Sequence, residues 1–279
     1  MNKYVTKFTR NTLFALSGLI LCSQAYADLD AIQKTGTLKV AVYEDFAPFS
    51  NGRKGDSGID FDIANALARQ LNLKLSLLPF DSGENVNDDL RNMVWKGHYL
   101  GYGPADVMLH VPIDNWLTNG NPQVSIFGPY YREQIILGVN SDKMPVTSNL
   151  SDLADKKLCA VKGDAGAQIL FSASNGALIN QVHLVDNVEE CASLMVKGDV
   201  DAIAARRAEL ESTLYSFAAL KLVPIESNVI PNKGWMIGMA IKKENPNLGE
   251  ALARALDAIR TSGELHDIFA KHHVIYVSP

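Results

Sequence analysis

The sequence predicts an α/β protein folded as two similar lobes. Short β-type runs alternate with amphipathic helical segments along most of the chain. The alternation occurs twice, once before residue 133 and again from Val139 onward. Two further β-type runs, 134–139 and 235–241, sit where the chain must cross between the units. Repeated strand–helix units imply a mainly parallel sheet in each lobe.

The first unit opens with Leu38-Lys39-Val40-Ala41-Val42, which alternates as a strand. A loop holding Pro48, Gly52, Gly55 and Gly58 leads into a helix over 59–71, with Phe61, Ala64, Ala68 and Leu71 near one face. A strand at 74–78, a helix at 88–96 and a strand at 105–110 follow. In the second unit, a strand at 157–161 turns at Gly163 into a helix over 165–173. A strand at 183–185 and a helix at 188–197, ended by Gly198, come next. A strand at 200–204, a helix at 206–215 and a strand at 221–223 complete it. Two last helices, 246–259 with Pro246 in its first turn and 264–271, are expected to return to the first lobe. The predicted organisation is a leader at 1–27, a discontinuous first lobe of 28–133 and 234–279, and a second lobe of 134–233 with hinge strands at its borders.

The leader reads as an export signal. Lys3, Lys7 and Arg10 precede a short apolar core at 13–21, and Ala25-Tyr26-Ala27 offers a small-x-small cleavage site before Asp28. Lipidation at Cys22 is the rival reading, which the bulky Leu21 weakens. No later run is long and apolar enough for a membrane span, so the expected location is the periplasm without stable membrane insertion. Removing 1–27 takes away three of the 26 basic residues and none of the 31 acidic ones, leaving a net charge of −8. That charge argues against nucleic acid and anionic membranes as partners and suits a basic protein. Cys159 and Cys191 remain after the leader. An even pair in an oxidising compartment suggests a disulfide, with two buried thiols as the alternative.

Residues 97–131 contain neither lysine nor arginine; the next cation is Arg132. The importance of this gap follows from a set of ordered motifs. Gly36-Thr37-Leu38-Lys39-Val40 precedes Phe46-Ala47-Pro48-Phe49, then Gly58-Ile59-Asp60-Phe61-Asp62-Ile63-Ala64. Lys197-Gly198-Asp199-Val200-Asp201-Ala202 and Gly263-Glu264-Leu265-His266-Asp267-Ile268-Phe269 follow. The order resembles the periplasmic solute-binding proteins of family 3. The resemblance implies the two-lobed type II periplasmic binding protein fold, two hinge crossings and a ligand cleft between the lobes.

Amino-acid-binding members of that family place an arginine after the Asp-Val strand for the ligand carboxylate, and an acid after the Val-Asp-Ala strand for its ammonium. Here Asp106-Val107-Met108-Leu109 runs into His110-Val111-Pro112-Ile113, and the second place is held by Ala205-Arg206-Arg207. Both poles are missing or reversed, which leaves an α-amino acid with unpaired charges. A narrower resemblance rests on Gly103-Pro104-Ala105-Asp106-Val107-Met108-Leu109-His110-Val111-Pro112 with Phe127-Gly128-Pro129-Tyr130-Tyr131-Arg132-Glu133. This combination resembles the periplasmic J proteins of methanol-dehydrogenase operons, MxaJ and XoxJ. It implies a role in maturing, activating or transferring electrons with a PQQ-dependent methanol dehydrogenase, with its cytochrome c as a further partner. PQQ and calcium or a lanthanide then belong to the dehydrogenase, and no cofactor or metal to this chain.

The residues expected at the cleft follow from these positions. His110 and Pro112 fill the gap left by the arginine; His110 either contacts a ligand or hydrogen-bonds backbone. Tyr43, Glu44, Phe46 and Phe49 occupy the first strand-to-helix loop, as a cleft wall or as core. Tyr130, Tyr131, Arg132 and Trp235 are placed at the hinge crossings. Gly163 and Asp164 open a helix, and Arg206 and Arg207 offer an anion site or a solvated pair. Asp56, Asp60 and Asp62 lack the calcium-loop spacing and read as helix-start or solvated carboxylates, and His272-His273 lacks a completing ligand set. No nucleophile and base stand at a recognisable spacing, so an enzyme is not expected; Glu44 is the lone acid placed where a catalytic one could lie. The expected function is a non-enzymatic dehydrogenase accessory, with a transporter-linked receptor for a non-amino-acid solute as the alternative. Oligomeric state is left open.

Overall fold

The structure, a computed structural model, describes residues 27–51, 56–227 and 233–279. The leader expected at 1–27 lies outside them apart from Ala27, where α1 (Ala27–Thr35) begins. Chain order then runs β1 (Thr37–Tyr43), β2 (Asp45–Phe46), β3 (Ser50–Asn51), α2 (Ile59–Gln70), β4 (Lys74–Phe80) and α3 (Val86–Leu90). The chain continues through β5 (Val107–Ile113), α4 (Asn115–Gly120), β6 (Val124–Glu133) and β7 (Ile135–Asn140). Next are β8 (Leu158–Val161), α5 (Ala165–Ser172), β9 (Val182–Val185), α6 (Val188–Lys197), β10 (Ala202–Arg206) and α7 (Arg207–Thr213). The last elements are β11 (Leu220–Pro224), β12 (Trp235–Lys242), α8 (Pro246–Thr261) and α9 (Glu264–Lys271).

Two five-stranded sheets result, ordered β4-β1-β5-β12-β6 and β11-β7-β10-β8-β9. Each is mixed, which corrects the mainly parallel expectation. β1 pairs in parallel with β4 and β5, but β12 runs antiparallel between β5 and β6. In the second sheet β8 runs parallel to β9 and β10, while β7 runs antiparallel to β10 and β11. The antiparallel strands are the runs that periodicity assigned to the crossings. Residues 134–139 lie mostly in β7 of the second sheet, and 235–241 lie in β12 of the first. The chain itself crosses at Gln134, between β6 and β7, and returns between β11 and β12. Sequence period identifies a strand but not the sheet that it joins.

The helices cover these sheets by burying apolar stripes. α2 buries Ile59, Ile63, Ala64 and Leu67, a stripe that includes Ala64 and Ala68 but leaves Phe61 partly exposed, contrary to the face expected. α8 buries Leu248, Leu252, Leu256 and Ile259 beside α2 in the first core. The helix expected at 88–96 is α3 followed by a π-helical turn at Arg91–Trp95. α6 ends at Gly198, whose φ of 79° gives the left-handed cap that Gly adopts without a Cβ clash. A disulfide joins Cys159 on β8 to Cys191 on α6, with Cα atoms 5.7 Å apart, and ties that helix to its sheet. Among the described residues no helix is long and apolar enough to cross a membrane.

Candidate functional site

A cavity of about 680 Å³ lies between the two sheets. Its walls come from the ends of β1 and β5 in the first lobe, the Arg206 end of β10 in the second, and both crossings. In an open α/β sheet the carboxyl ends of parallel strands leave such a crevice, because the following loops diverge there. Tyr43, Glu44, Phe46, His110, Pro112, Arg206 and Trp235 line it, among the residues expected at the cleft.

The first-lobe wall is built on hydrogen bonds to acids. Tyr43, at the end of β1, donates its hydroxyl to Asp89 Oδ2 at 2.9 Å, and the Gly83 N–H donates to Oδ1 at 2.7 Å. Burial pushes the Tyr43 hydroxyl well up, reinforced by Asp89, so it stays a donor. Burial also raises Asp89, against the N–H and O–H donors that favour its charge.

His110 sits within β5 rather than after its end, which corrects the expected strand over 105–110. Its φ is 60°, and the pairing of β5 with β12 shifts register between Gly238 and Ala240, so the histidine occupies a bulge. The Tyr130 hydroxyl accepts from the His110 N–H at 2.9 Å and donates to Asp60 Oδ1 at 2.6 Å. His110 Nδ1 lies 3.0 Å from Asp60 Oδ2. Phe46 and Phe49 meet the imidazole edge-on, with centroids 4.7 and 4.3 Å away. The bulge therefore holds His110 in an Asp-Tyr-Phe socket. Asp60 stands in the first turn of α2, as expected of a helix-start carboxylate, but it is fully buried, which corrects the solvated reading.

The second-lobe wall is one guanidinium among carboxylates. Arg206 donates to Asp164 Oδ1 at 2.9 Å and Glu209 Oε1 at 2.8 Å, and its guanidinium lies 5.1 Å from the Phe46 ring centre across the cleft. Burial opposes charge on Arg206, but Glu209 and Asp164 outweigh it. Glu133, the last residue of β6, also lines the cavity and is fully buried. Its Oε1 accepts from the Gln134 N–H at 2.8 Å, while Oε2 has no hydrogen-bond partner among the described residues. Burial pushes its carboxyl up to about 8.

The remaining expected residues lie elsewhere. Phe49, from the loop between β2 and β3, is fully buried in the first core, and so are Tyr130 and Tyr131, which belong to β6 and not to a free hinge. Arg132, also in β6, gives its N–H to the Val277 carbonyl, and does not line the cavity. Arg207 pairs with Glu211 at 2.7 Å, outside the cavity. Asp164 caps α5 and holds Arg206, and neither it nor Gly163 lines the cavity, so the expected anion pocket is already filled by side-chain pairs. His272 Nε2 lies 2.7 Å from Asp62 Oδ2, beside Lys271. Among the described residues no group of three or more His, Cys, Asp or Glu is placed to hold a metal ion. Sequence reasoning missed Glu133 and Asp89 as cavity residues. The signal for Glu133 was present, as an acid closing an aromatic strand at the lobe junction; Asp89 offered none.

Comparison with known proteins places the fold. The chain has the type II periplasmic binding protein fold, a two-lobed cleft architecture. An ancestral cationic amino acid solute-binding protein, AncCDT-1, superposes with a TM-score of 0.69 at 22% identity, over 88% of this chain and 99% of that one. An amino acid ABC transporter substrate-binding protein from Streptococcus pneumoniae Canada MDR_19A, bound to L-arginine, gives 0.61 at 21% identity, over 89% and 99%. Among curated proteins, a membrane-bound lytic murein transglycosylase F of Photobacterium profundum is 23% identical over 292 residues, which covers 97% of this chain. The match covers 51% of that protein, so the chain spans about half the length of the curated relative it matches. No family model matches the chain.

Proposed function

We propose that this chain is a non-enzymatic periplasmic binding protein that serves as an accessory to a PQQ-dependent methanol dehydrogenase, and not as a standard amino acid receptor. The observation that carries the second half is the state of Arg206, the one arginine or lysine among the described residues that line the cleft. Arg206 is committed to Asp164 and Glu209, so these walls offer no uncommitted guanidinium for a ligand carboxylate. The dehydrogenase role rests on the resemblance carried by His110-Val111-Pro112 and the Tyr130-Tyr131-Arg132-Glu133 strand end. The excess acid of the chain and of its cleft suits a basic partner segment. The Cys159–Cys191 disulfide fits an oxidising compartment such as the periplasm.

Adding the purified protein to apo-dehydrogenase, with PQQ and calcium or a lanthanide, is expected to raise the yield of active enzyme and to give a complex on size exclusion. No complex and an unchanged yield would sink the accessory role. A second reading is favoured by the solved neighbours, which bind arginine or cationic amino acids. In it the protein delivers a small solute to a transporter, and native mass spectrometry of freshly purified protein finds that solute in the cleft.

A further inference from the structure

We infer that the hinge end of the cleft holds an organic cation, a guanidinium or primary ammonium group, against the Glu133 carboxylate, with no need for a carboxylate on the ligand. The inference deepens the binding role proposed above and rests on the cleft being the binding site.

Glu133 is a carboxylate at the cavity wall that the fold leaves incomplete among the described residues. It is fully buried at the cavity wall, one oxygen is taken by the Gln134 N–H, and Oε2 has no partner among the described residues. A buried carboxylate in that state is costly, so it either holds a proton or meets a cation. The surroundings favour the cation whenever one is available. Glu133, Asp45 and Asp89 line the cavity together with Arg206. Arg206 is shared between Asp164 and Glu209, and its charge favours an ionised Glu133 without outweighing burial. Glu209 Oε2 is likewise buried without a partner among the described residues. Tyr43, Phe46 and Trp235 add aromatic surface to the same walls, which suits a delocalised or alkylated cation better than a hydrated metal ion.

The position couples binding to the lobes. Glu133 pairs with Trp235 across β6 and β12, and Gly234 lies so close that a Cβ there would meet the Glu133 carbonyl oxygen and the Gln134 side chain. Both crossings therefore touch at this residue. Its titration is set first by burial, against the Gln134 and Ala208 backbone N–H groups, which favour the charge; Glu209 and Arg206 face it from the second lobe, Asp164 lies behind the guanidinium, and Tyr131 neighbours it on β6. Trp235 on β12 brings no titratable group. With its carboxyl raised to about 8, Glu133 is protonated near neutral pH, and the cation displaces that proton.

Titration calorimetry with agmatine and L-arginine tests this. Agmatine keeps the guanidinium and amine of arginine but lacks the carboxylate. It is expected to bind at least as tightly as L-arginine, and its affinity to rise roughly 50-fold from pH 6 to pH 8. At pH 7, buffers of different ionisation enthalpy should report close to one proton released per agmatine by the unaltered protein. Glu133→Gln, checked for folding by circular dichroism, loses both the proton release and the pH dependence. Acetyl-Gly-Arg-Gly-amide presents the same head group as a protein segment does; tighter binding of it identifies a partner segment, and tighter binding of agmatine a free solute. No heat with any probe at millimolar concentration overturns the inference. So does a preference for L-arginine of about tenfold or more, or proton release that persists in Glu133→Gln. Cation binding without dehydrogenase association removes the accessory role and leaves this inference standing; association without cation binding does the reverse.

Discussion

His110 and Glu133 are both buried polar residues at the cleft, and the protein treats them differently. His110 has an acid of its own, Asp60, and a tyrosine hydroxyl to fix its backbone, so its unusual φ is held from several sides. Glu133 lacks such a partner for one oxygen, and burial holds its carboxyl near 8 against an ordinary value of 4.5. Between those values the folded protein keeps a proton that the unfolded chain has lost. The contribution of Glu133 to stability is therefore fully present below the unfolded value and falls as pH rises through the window, by up to roughly 1.4 kcal/mol per pH unit. Glu133→Gln removes that slope. Urea denaturation at pH 5 and pH 8 should show the variant gaining on the unaltered protein as pH rises, and parallel pH profiles would contradict the burial argument.

At the scale of elements, close backbone packing decides where helices can rest. Gly166, in the first turn of α5, faces β10 so closely that a Cβ would lie 2.1 Å from the Ala204 carbonyl oxygen. That oxygen is backbone and cannot rotate away, so Gly166→Ala must shift α5 off its sheet. A loss of about 2–3 kcal/mol is expected in chemical denaturation. Because α5 begins at Asp164, which holds Arg206, the shift should also weaken binding in the cleft. The elements themselves were largely legible. The period of α6, its Gly198 stop and the Gly263 start of α9 are local signals, and the expected and observed spans of both helices agree. The bulge at His110 and the π-helical turn after α3 were not legible. Both arise where one strand or helix must fit a neighbour distant in sequence, and no local propensity encodes that fit.

For the whole molecule, the lobes meet at the cleft and beside it, where the Ile275 N–H donates to Glu211 Oε2 at 2.8 Å and Tyr215 stacks on His273 with ring centres 3.8 Å apart. Phe46 on β2 and Arg206 at the end of β10 meet across the cleft, and Trp235 packs against the cores of both lobes. In a hinged two-lobed fold, a contact made only in the closed arrangement shifts the balance toward closure. Phe46→Ala removes the ring beneath the guanidinium. Small-angle scattering is expected to show a larger radius of gyration for the variant without ligand, and an unchanged radius would show that the other contacts between the lobes hold them together.

The sequence by itself determined the α/β class, the two-lobe order of elements, the acidic character and the loss of a lobe-one arginine. These depend on period, turn residues and composition, all properties of neighbouring residues. Only the tertiary structure decided which sheet each crossing strand joins, that Tyr130 and Tyr131 are core, and that Arg206 is already held by acids. It also decided that Glu133 is buried at the cavity wall, with one oxygen lacking a partner among the described residues. Each of these turns on groups brought together from opposite lobes or distant strands, and burial, which sets their charge and their need for partners, exists only once the chain has folded.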